Sequence, residues 1–202
     1  MSTDLTFITN EDGTKLIDRF NSLLKEDTRH FDCLVGYFFI SGFYRLYPSL
    51  EKTEKVRILI GLKTDTTTYS LLEKAKEQQE LNYQSQAETK EQIPSQILQE
   101  LEFSEDGPSI EEGIKKFVDW ITTGKLEIKA YPSEKIHAKV YIMTFHEEDR
   151  DKGRVITGSS NFSQSGLQDN LEFNVELKNR SDYEFSLKKF NDLWERSKAA
   201  AP

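Results

Sequence analysis

Hydrophobic positions along this chain follow two different periods. In "TKLIDRFNSLLKED", Leu16, Ile17, Phe20, Leu23 and Leu24 recur at helical spacing and predict a helix with one apolar face. "FDCLVGYFFI" (31–40) and "KVRILIGL" (55–62) are short, β-rich apolar runs that predict buried strands. Between them, "ISGFYRLYPSL" predicts a turn into a helix that stops at Pro48. Strand, helix, strand in that order predicts an α/β fold around a central sheet.

Further on, "SIEEGIKKFVDWITTG" predicts a helix opened by a capping box, Ser109 with Glu112, and closed by Gly124. "KLEIKAYP", "KIHAKVYIMTF", "RVITGS" and "LEFNVELK" then supply four strand candidates in close succession. "YEFSLKKFNDLWERSKAA" closes the chain as an amphipathic helix. The stretch 73–113 is polar and interrupted by Pro94 and Pro108. It predicts a helical, acidic insertion inside a single domain spanning 1–202.

Charge sharpens that division. The net charge is −8 over 202 residues. Residues 73–113 alone hold eleven Asp/Glu and three Lys, and the remainder is balanced at 24 acidic and 24 basic residues. The overall charge therefore neither excludes nor favours a phosphodiester ligand. No apolar run approaches the roughly 18 residues of a membrane span. The N-terminus carries acids and no secretory pattern, so the expected compartment is the cytoplasm. The lone cysteine, Cys33, excludes an internal disulfide framework and a cysteine-rich zinc site, and its apolar surroundings predict a small core residue.

In "EKIHAKVYI" (134–142) strand alternation puts His137, Lys139 and Tyr141 on one face and Ile136, Ala138, Val140 and Ile142 on the other. In "LEFNVELK" the same rule predicts an apolar face of Leu171, Phe173, Val175 and Leu177, and a polar face of Glu172, Asn174 and Glu176. A His and a Lys on a polar face are ordinarily solvated surface. "GSSNFS" (158–163) alone is an ordinary turn. His30, and His146 in the loop "HEEDRDKG", are expected at the surface.

Taken together, these pieces resemble a known signature. His137-x-Lys139, Gly158-Ser159-x-Asn161 and Glu172 are similar to the HxK…GSxN…E pattern of the phospholipase D superfamily, and "GSSNFSQSG" is most similar to its nuclease branch. "VGYFFISGF" and "VRILIGL" resemble the opening strands of phospholipase D-like domains attached to bacterial helicases and restriction enzymes. Two features depart from the pattern. Thr144 stands where the family often has an Asp, and the spacing from Lys139 to Gly158 is longer by about seven residues. The extra length falls in "HEEDRDKG", which reads as a lengthened hairpin loop.

The resemblance implies a phospholipase D-like fold, a central mixed β-sheet flanked by helices. It implies a metal-independent phosphodiesterase or endonuclease acting on DNA through a phosphohistidine, with no cofactor. Such chemistry suits these residue types. A neutral imidazole can attack phosphorus, a Lys and an Asn can hold the non-bridging oxygens, and a carboxylate can orient the imidazole. The implied catalytic set is His137, Lys139, Ser159, Asn161 and Glu172. The family mechanism uses two His–Lys sets and this chain has one, so the resemblance implies a homodimer sharing one site. Helicase or restriction domains C-terminal in a longer chain are the implied partners, and no membrane is. A non-catalytic dimerisation or DNA-tethering module remains the alternative.

Overall fold

The computed structural model describes residues 6–25, 28–64, 107–131 and 136–199. In chain order the elements are β1 (Thr6–Ile8), α1 (Leu16–Leu24), β2 (Thr28–Phe38), α2 (Ile40–Leu50), β3 (Lys55–Thr64), α3 (Gly107–Thr122), β4 (Leu126–Ala130), β5 (Lys139–Phe145), β6 (Gly153–Gly158), one π-helical turn (Ser165–Asp169), β7 (Asn174–Leu177), α4 (Arg180–Arg196) and β8 (Lys198–Ala199). The strands make one sheet in the order β1-β7-β6-β5-β2-β3-β4-β8. β2, β3 and β4 run parallel, and every other neighbouring pair is antiparallel. This is the mixed, helix-flanked α/β sheet that the sequence predicted.

Alternation along the strands divides the core into two layers. On one face, Phe31, Cys33, Val35, Val56, Ile58, Tyr141 and Ile156 pack under α1, α2 and α3. On the other, Leu34, Leu59, Ile142 and Val155 pack under Tyr183, Phe190 and Trp194 of α4. Cys33 is fully buried, as expected, and burial pushes its thiol well above the ordinary value. Arg57 of β3 fixes α4 by two means. Its guanidinium pairs with the buried Asp32 carboxylate at 2.6 and 2.7 Å, and its plane lies over Phe190 and Trp194 at 4.9 and 5.5 Å. Among the described residues no helix is long and apolar enough to cross a membrane.

Several sequence expectations need correction. α2 passes through Pro48 and ends at Leu50. Burial of Leu46, Tyr47 and Leu50 on the core side offsets the one hydrogen bond that the ring removes. α3 starts at Gly107, so Ser109 lies inside the helix, and Pro108 sits in the first turn, where a missing N–H costs nothing. Residues 107–113 therefore belong to a core helix and not to the acidic insertion, and Ile110 is buried. The rest of the 73–113 stretch lies outside the described residues. Gly124, at φ +76°, ends α3 as predicted. The short edge strands β1 and β8 had no clear periodic signal.

The predicted polar face of β7 is the buried one. Asn174 and Glu176 are 1% and 0% exposed, while Phe173 is 63% exposed. Glu176 is tolerated in the interior because Arg19 of α1 holds it through two bonds of 2.8 Å and Arg154 stands 3.4 Å away.

Candidate active site

The register of the sheet brings the signature residues to one end. Val35 of β2 pairs with Lys139 of β5, and Gly36 N–H donates to the carbonyl of Ala138 at 2.9 Å. Val140 pairs with Thr157, which puts Lys139 beside Gly158, and Gly158 in turn pairs with Asn174 of β7. His137 precedes β5 by two residues and Glu172 precedes β7 by two, so both lie just beyond the sheet end where β2, β3 and β6 finish. Two glycines permit the crowding there. A Cβ on Gly61 would lie 2.2 Å from the Ile136 carbonyl oxygen, so only glycine lets the chain reach His137 so close to β3. A Cβ on Gly158 would lie 2.3 Å from the Phe173 carbonyl and 2.5 Å from Asn174 Oδ1.

His137 is exposed, and its Nε2 lies 2.8 Å from Lys139 Nζ. An ammonium can only donate, so Nε2 accepts and the imidazole proton sits on Nδ1. The lone pair that could attack phosphorus is thus present and held by Lys139.

The turn 158–163 is anchored at its centre. Ser160 is fully buried. Its N–H donates to Asn174 Oδ1 at 3.3 Å, its Oγ accepts from Asn174 Nδ2 at 2.9 Å, and its carbonyl accepts from Tyr141 Oη at 2.8 Å. Burial pushes the Tyr141 phenol well above its ordinary value, so it stays a donor. Phe39 N–H also donates to the Phe162 carbonyl at 3.0 Å, which ties the turn to the start of α2. Asn161, next to Ser160, keeps a buried Oδ1 with no hydrogen-bond partner.

Ser159 and Glu172 are arranged differently from expectation. Ser159 Oγ donates to Glu172 Oε2 and accepts from Phe173 N–H at 2.9 Å. A hydroxyl has one proton, and here Glu172 holds it. A phosphate oxygen must compete with Glu172 for it. Among the described residues Glu172 makes no hydrogen bond to His137, so its partner within one chain is Ser159 and not the imidazole.

Thr144, at the position of the often-present Asp, accepts from Tyr183 Oη at 3.0 Å on the α4 face of the sheet. It lies near the opposite end of β5 from His137 and serves the packing of α4. The lengthened loop after β5 is at that same far end, where His146 N–H is capped by Asp149 Oδ2 at 3.0 Å. His146 is half-buried in it, and His30 is half-exposed, 3.5 Å from Glu54. Neither departure from the signature touches the site.

Sequence reasoning missed Asn174 and Tyr141, which hold the 158–163 turn through Ser160. Alternation put both on the face of their strands that carries polar groups, and that was the available signal. Asn174→Ala is expected to remove both contacts to Ser160 and cost about 1–3 kcal/mol of stability. Loss of the turn's geometry should lower kcat by up to about 10²-fold, with less change in KM. Unchanged kcat in the folded variant would show that Asn174 is purely structural.

Comparison with known proteins agrees with the geometry. The chain is similar in structure to Nuc from Salmonella typhimurium, a phospholipase D family member, at TM-score 0.52 and 15% identity, covering 98% of each chain. It is similar to NucT from Helicobacter pylori at TM-score 0.50 and 10% identity, over 96% of this chain and 98% of that one. Phosphatidylserine synthase from Haemophilus influenzae matches at TM-score 0.51 and 14% identity, over 96% of this chain but 39% of the synthase. No curated protein matches by sequence. The family model for the phospholipase D-like domain of cardiolipin synthase matches residues 41–194, a span that takes in all six signature residues at the sheet end, and the chain belongs to that phospholipase D-like family.

Proposed function

We propose that the chain is a metal-independent phosphodiesterase acting on DNA, with one active site shared between two copies. The observation that carries this reading is the imidazole of His137, exposed at the sheet end with its Nε2 lone pair held by Lys139 at 2.8 Å. When a phosphodiester binds, a non-bridging oxygen takes over the Lys139 ammonium and frees Nε2. Nε2 then attacks phosphorus, a P–N bond forms, and the bond from phosphorus to the leaving oxygen breaks. The leaving oxygen takes a proton from a second imidazole. Water then attacks the phosphohistidine, its proton returns to that second imidazole, and the P–N bond breaks to release His137. Lys139 and the Asn161 amide stabilise the charge gathered on the non-bridging oxygens, which is the task a metal performs elsewhere.

One chain supplies one such imidazole, so the second belongs to the partner copy's His137. DNA is favoured as substrate by the similarity of "GSSNFSQSG" to the nuclease branch. The test is cleavage of plasmid and single-stranded DNA by the purified protein in EDTA. Cleavage should persist, and adding excess His137→Ala chains should poison it as mixed dimers form. Cleavage that disappears in EDTA and returns with magnesium would remove the mechanism. DNA binding without cleavage would favour the non-catalytic tethering alternative.

A further inference from the structure

One buried side chain, far from the signature in sequence, holds the strip of chain that runs from the 158–163 turn to Glu172. Asn10 lies in the loop between β1 and α1, ahead of the span 41–194 that the family model matches. It is 8% exposed, and among the described residues it is the one non-glycine residue at positive φ, at +63°. A left-handed backbone is uncommon outside glycine, and Asn is among the residues that accept it. The Asn10 Oδ1 accepts from Leu16 N–H at 2.8 Å, at the start of α1. Its Nδ2 donates to the carbonyls of Gly166 at 2.9 Å and Asn170 at 3.0 Å. One donor and two acceptors therefore surround the group, and an amide answers all three from one position. A carboxylate of the same shape has nothing to donate to the two carbonyls.

We propose that Asn10 is a positioning residue for the active site, acting through the segment 165–172 that its side chain clamps. The inference rests on the phosphodiesterase reading and adds to it a residue that touches no substrate. The clamped segment meets the signature at both ends. At one end the Gly166 backbone lies against Asn161, where a Cβ on Gly166 would stand 2.4 Å from the Asn161 carbonyl oxygen and 3.0 Å from its nitrogen. Gly166 N–H donates to Ser163 Oγ at 3.1 Å, and Leu167 N–H to the Ser163 carbonyl at 3.0 Å. Where the Gly166 peptide sits thus limits where Asn161 can sit. At the other end the neighbour of Asn10 holds the signature carboxylate residue itself, since the Thr9 carbonyl accepts from Glu172 N–H at 3.2 Å. Glu172 in turn takes the Ser159 hydroxyl proton.

Between those ends the chain makes its π-helical turn, Ser165–Asp169, closed by Asn170 N–H on the Ser165 carbonyl at 2.8 Å. Such turns are rare and found mostly as single turns near functional sites. Asn10 takes one carbonyl inside the turn and one just past it, which fixes both of its sides. Without the clamp, Asn161 and Glu172 lose a shared reference point. Small displacements of groups that act on the transition state lower kcat more than they weaken substrate binding.

The test uses Asn10→Asp and Asn10→Gly in the full chain, with Ser49→Ala as control. Asn10→Asp keeps the shape and the bond to Leu16 but turns an oxygen on both carbonyls. Asn10→Gly keeps the left-handed backbone and deletes the side chain, so it carries the test if the aspartate variant does not fold. Ser49→Ala removes a buried hydroxyl that donates to Asn21 Oδ1 at 2.7 Å, near the end of α2 away from the site. Circular dichroism gives fold, a nitrophenyl phosphodiester gives kcat and KM, and hydrogen exchange by NMR gives the protection of the Glu172 amide. Each folded Asn10 variant is expected to lose about 10–10²-fold in kcat with KM within about threefold of the wild type. Its Glu172 amide should exchange about tenfold or more faster. Ser49→Ala should be less stable and keep the wild-type kcat.

The aspartate variant should also regain part of its kcat, relative to the wild type, as pH falls towards about 5, because a protonated carboxyl can donate to one of the two carbonyls. The charged groups around that position are Glu11, Asp12 and Lys15 on its own loop and Asp169 on the facing turn, and the three acids favour protonation. Wild-type kcat in the folded Asn10 variants overturns the proposal. So does a loss of kcat with Glu172 protection unchanged, an equal loss in Ser49→Ala, or an aspartate variant whose deficit is the same at every pH. A wild type without hydrolysis removes the phosphodiesterase reading and the positioning role with it, whereas an active wild type with unaffected variants removes the positioning role alone.

Discussion

His137→Ala is expected to lower hydrolysis of an activated phosphodiester by about 10³-fold or more, while the thermal unfolding curve stays within a degree or so of the wild type. The side chain is exposed and, among the described residues, its hydrogen bond is to Lys139 alone, so its removal leaves no buried group there unpaired. A substrate with a nitrophenolate leaving group isolates the nucleophile, because that group departs without needing a proton. The second imidazole then contributes little, and the loss reports the attacking nitrogen. Lys139→Ala should cost about 10²–10³-fold, the usual effect of deleting one donor to an oxyanion. It also leaves Nε2 without its holder, so KM should rise along with the fall in kcat. Full activity in a folded His137→Ala protein would sink the assignment of the nucleophile.

Arg57→Ala is expected to be the most damaging substitution for stability, at about 3–5 kcal/mol near neutral pH. Asp32 is 1% exposed, and Arg57 is what makes its carboxylate tolerable there. The variant strands that charge and also removes the cation from above Phe190 and Trp194. Burial holds the Asp32 carboxyl above its ordinary value, against the opposing pull of Arg57. The sign follows from this shift. A carboxyl raised in the folded state penalises the fold above that raised value, and the penalty fades as pH falls through it towards the unfolded value. Without Arg57 the carboxyl rises further, so the cost of Arg57→Ala should shrink as pH is lowered towards about 4. Urea unfolding at both pH values measures it. An equal loss at each would show that the damage comes from packing on α4 and not from the stranded charge. Asp32→Leu with Arg57→Met, which removes both charges, should recover most of the stability.

Much of this molecule is written locally. The helical spacing of Leu16 to Leu24 and the β-rich runs of β2 and β3 predicted their elements, because periodicity records which residues share a face. His137, Lys139, Ser159, Asn161 and Glu172 could be picked out as a set, since their residue types and order are themselves the resemblance. Periodicity does not record which face is covered. On β7 alternation separated the residues correctly, yet the polar row is the buried one, because α1 brings Arg19 over Glu176 and the turn brings Ser160 against Asn174. The exposed Phe7–Phe173 pair is the other side of the same decision.

Partnerships at the site were likewise settled only by the fold. Ser159 and Glu172 are thirteen residues apart, and the bond between them exists because β6 and β7 pair in one particular register. Thr144 is two residues past Ile142 on the α4 face, so its place in the signature gave no hint that it serves Tyr183 at the far end of the strand. Sequence alone determined the inner strands, most of the helices and the chemically capable side chains, since each depends on the character and spacing of near neighbours. Tertiary structure alone decided which polar groups are buried, which proton Ser159 can spare and which apolar surface is left bare. Those outcomes depend on distances between residues far apart in the chain, and no local pattern encodes them.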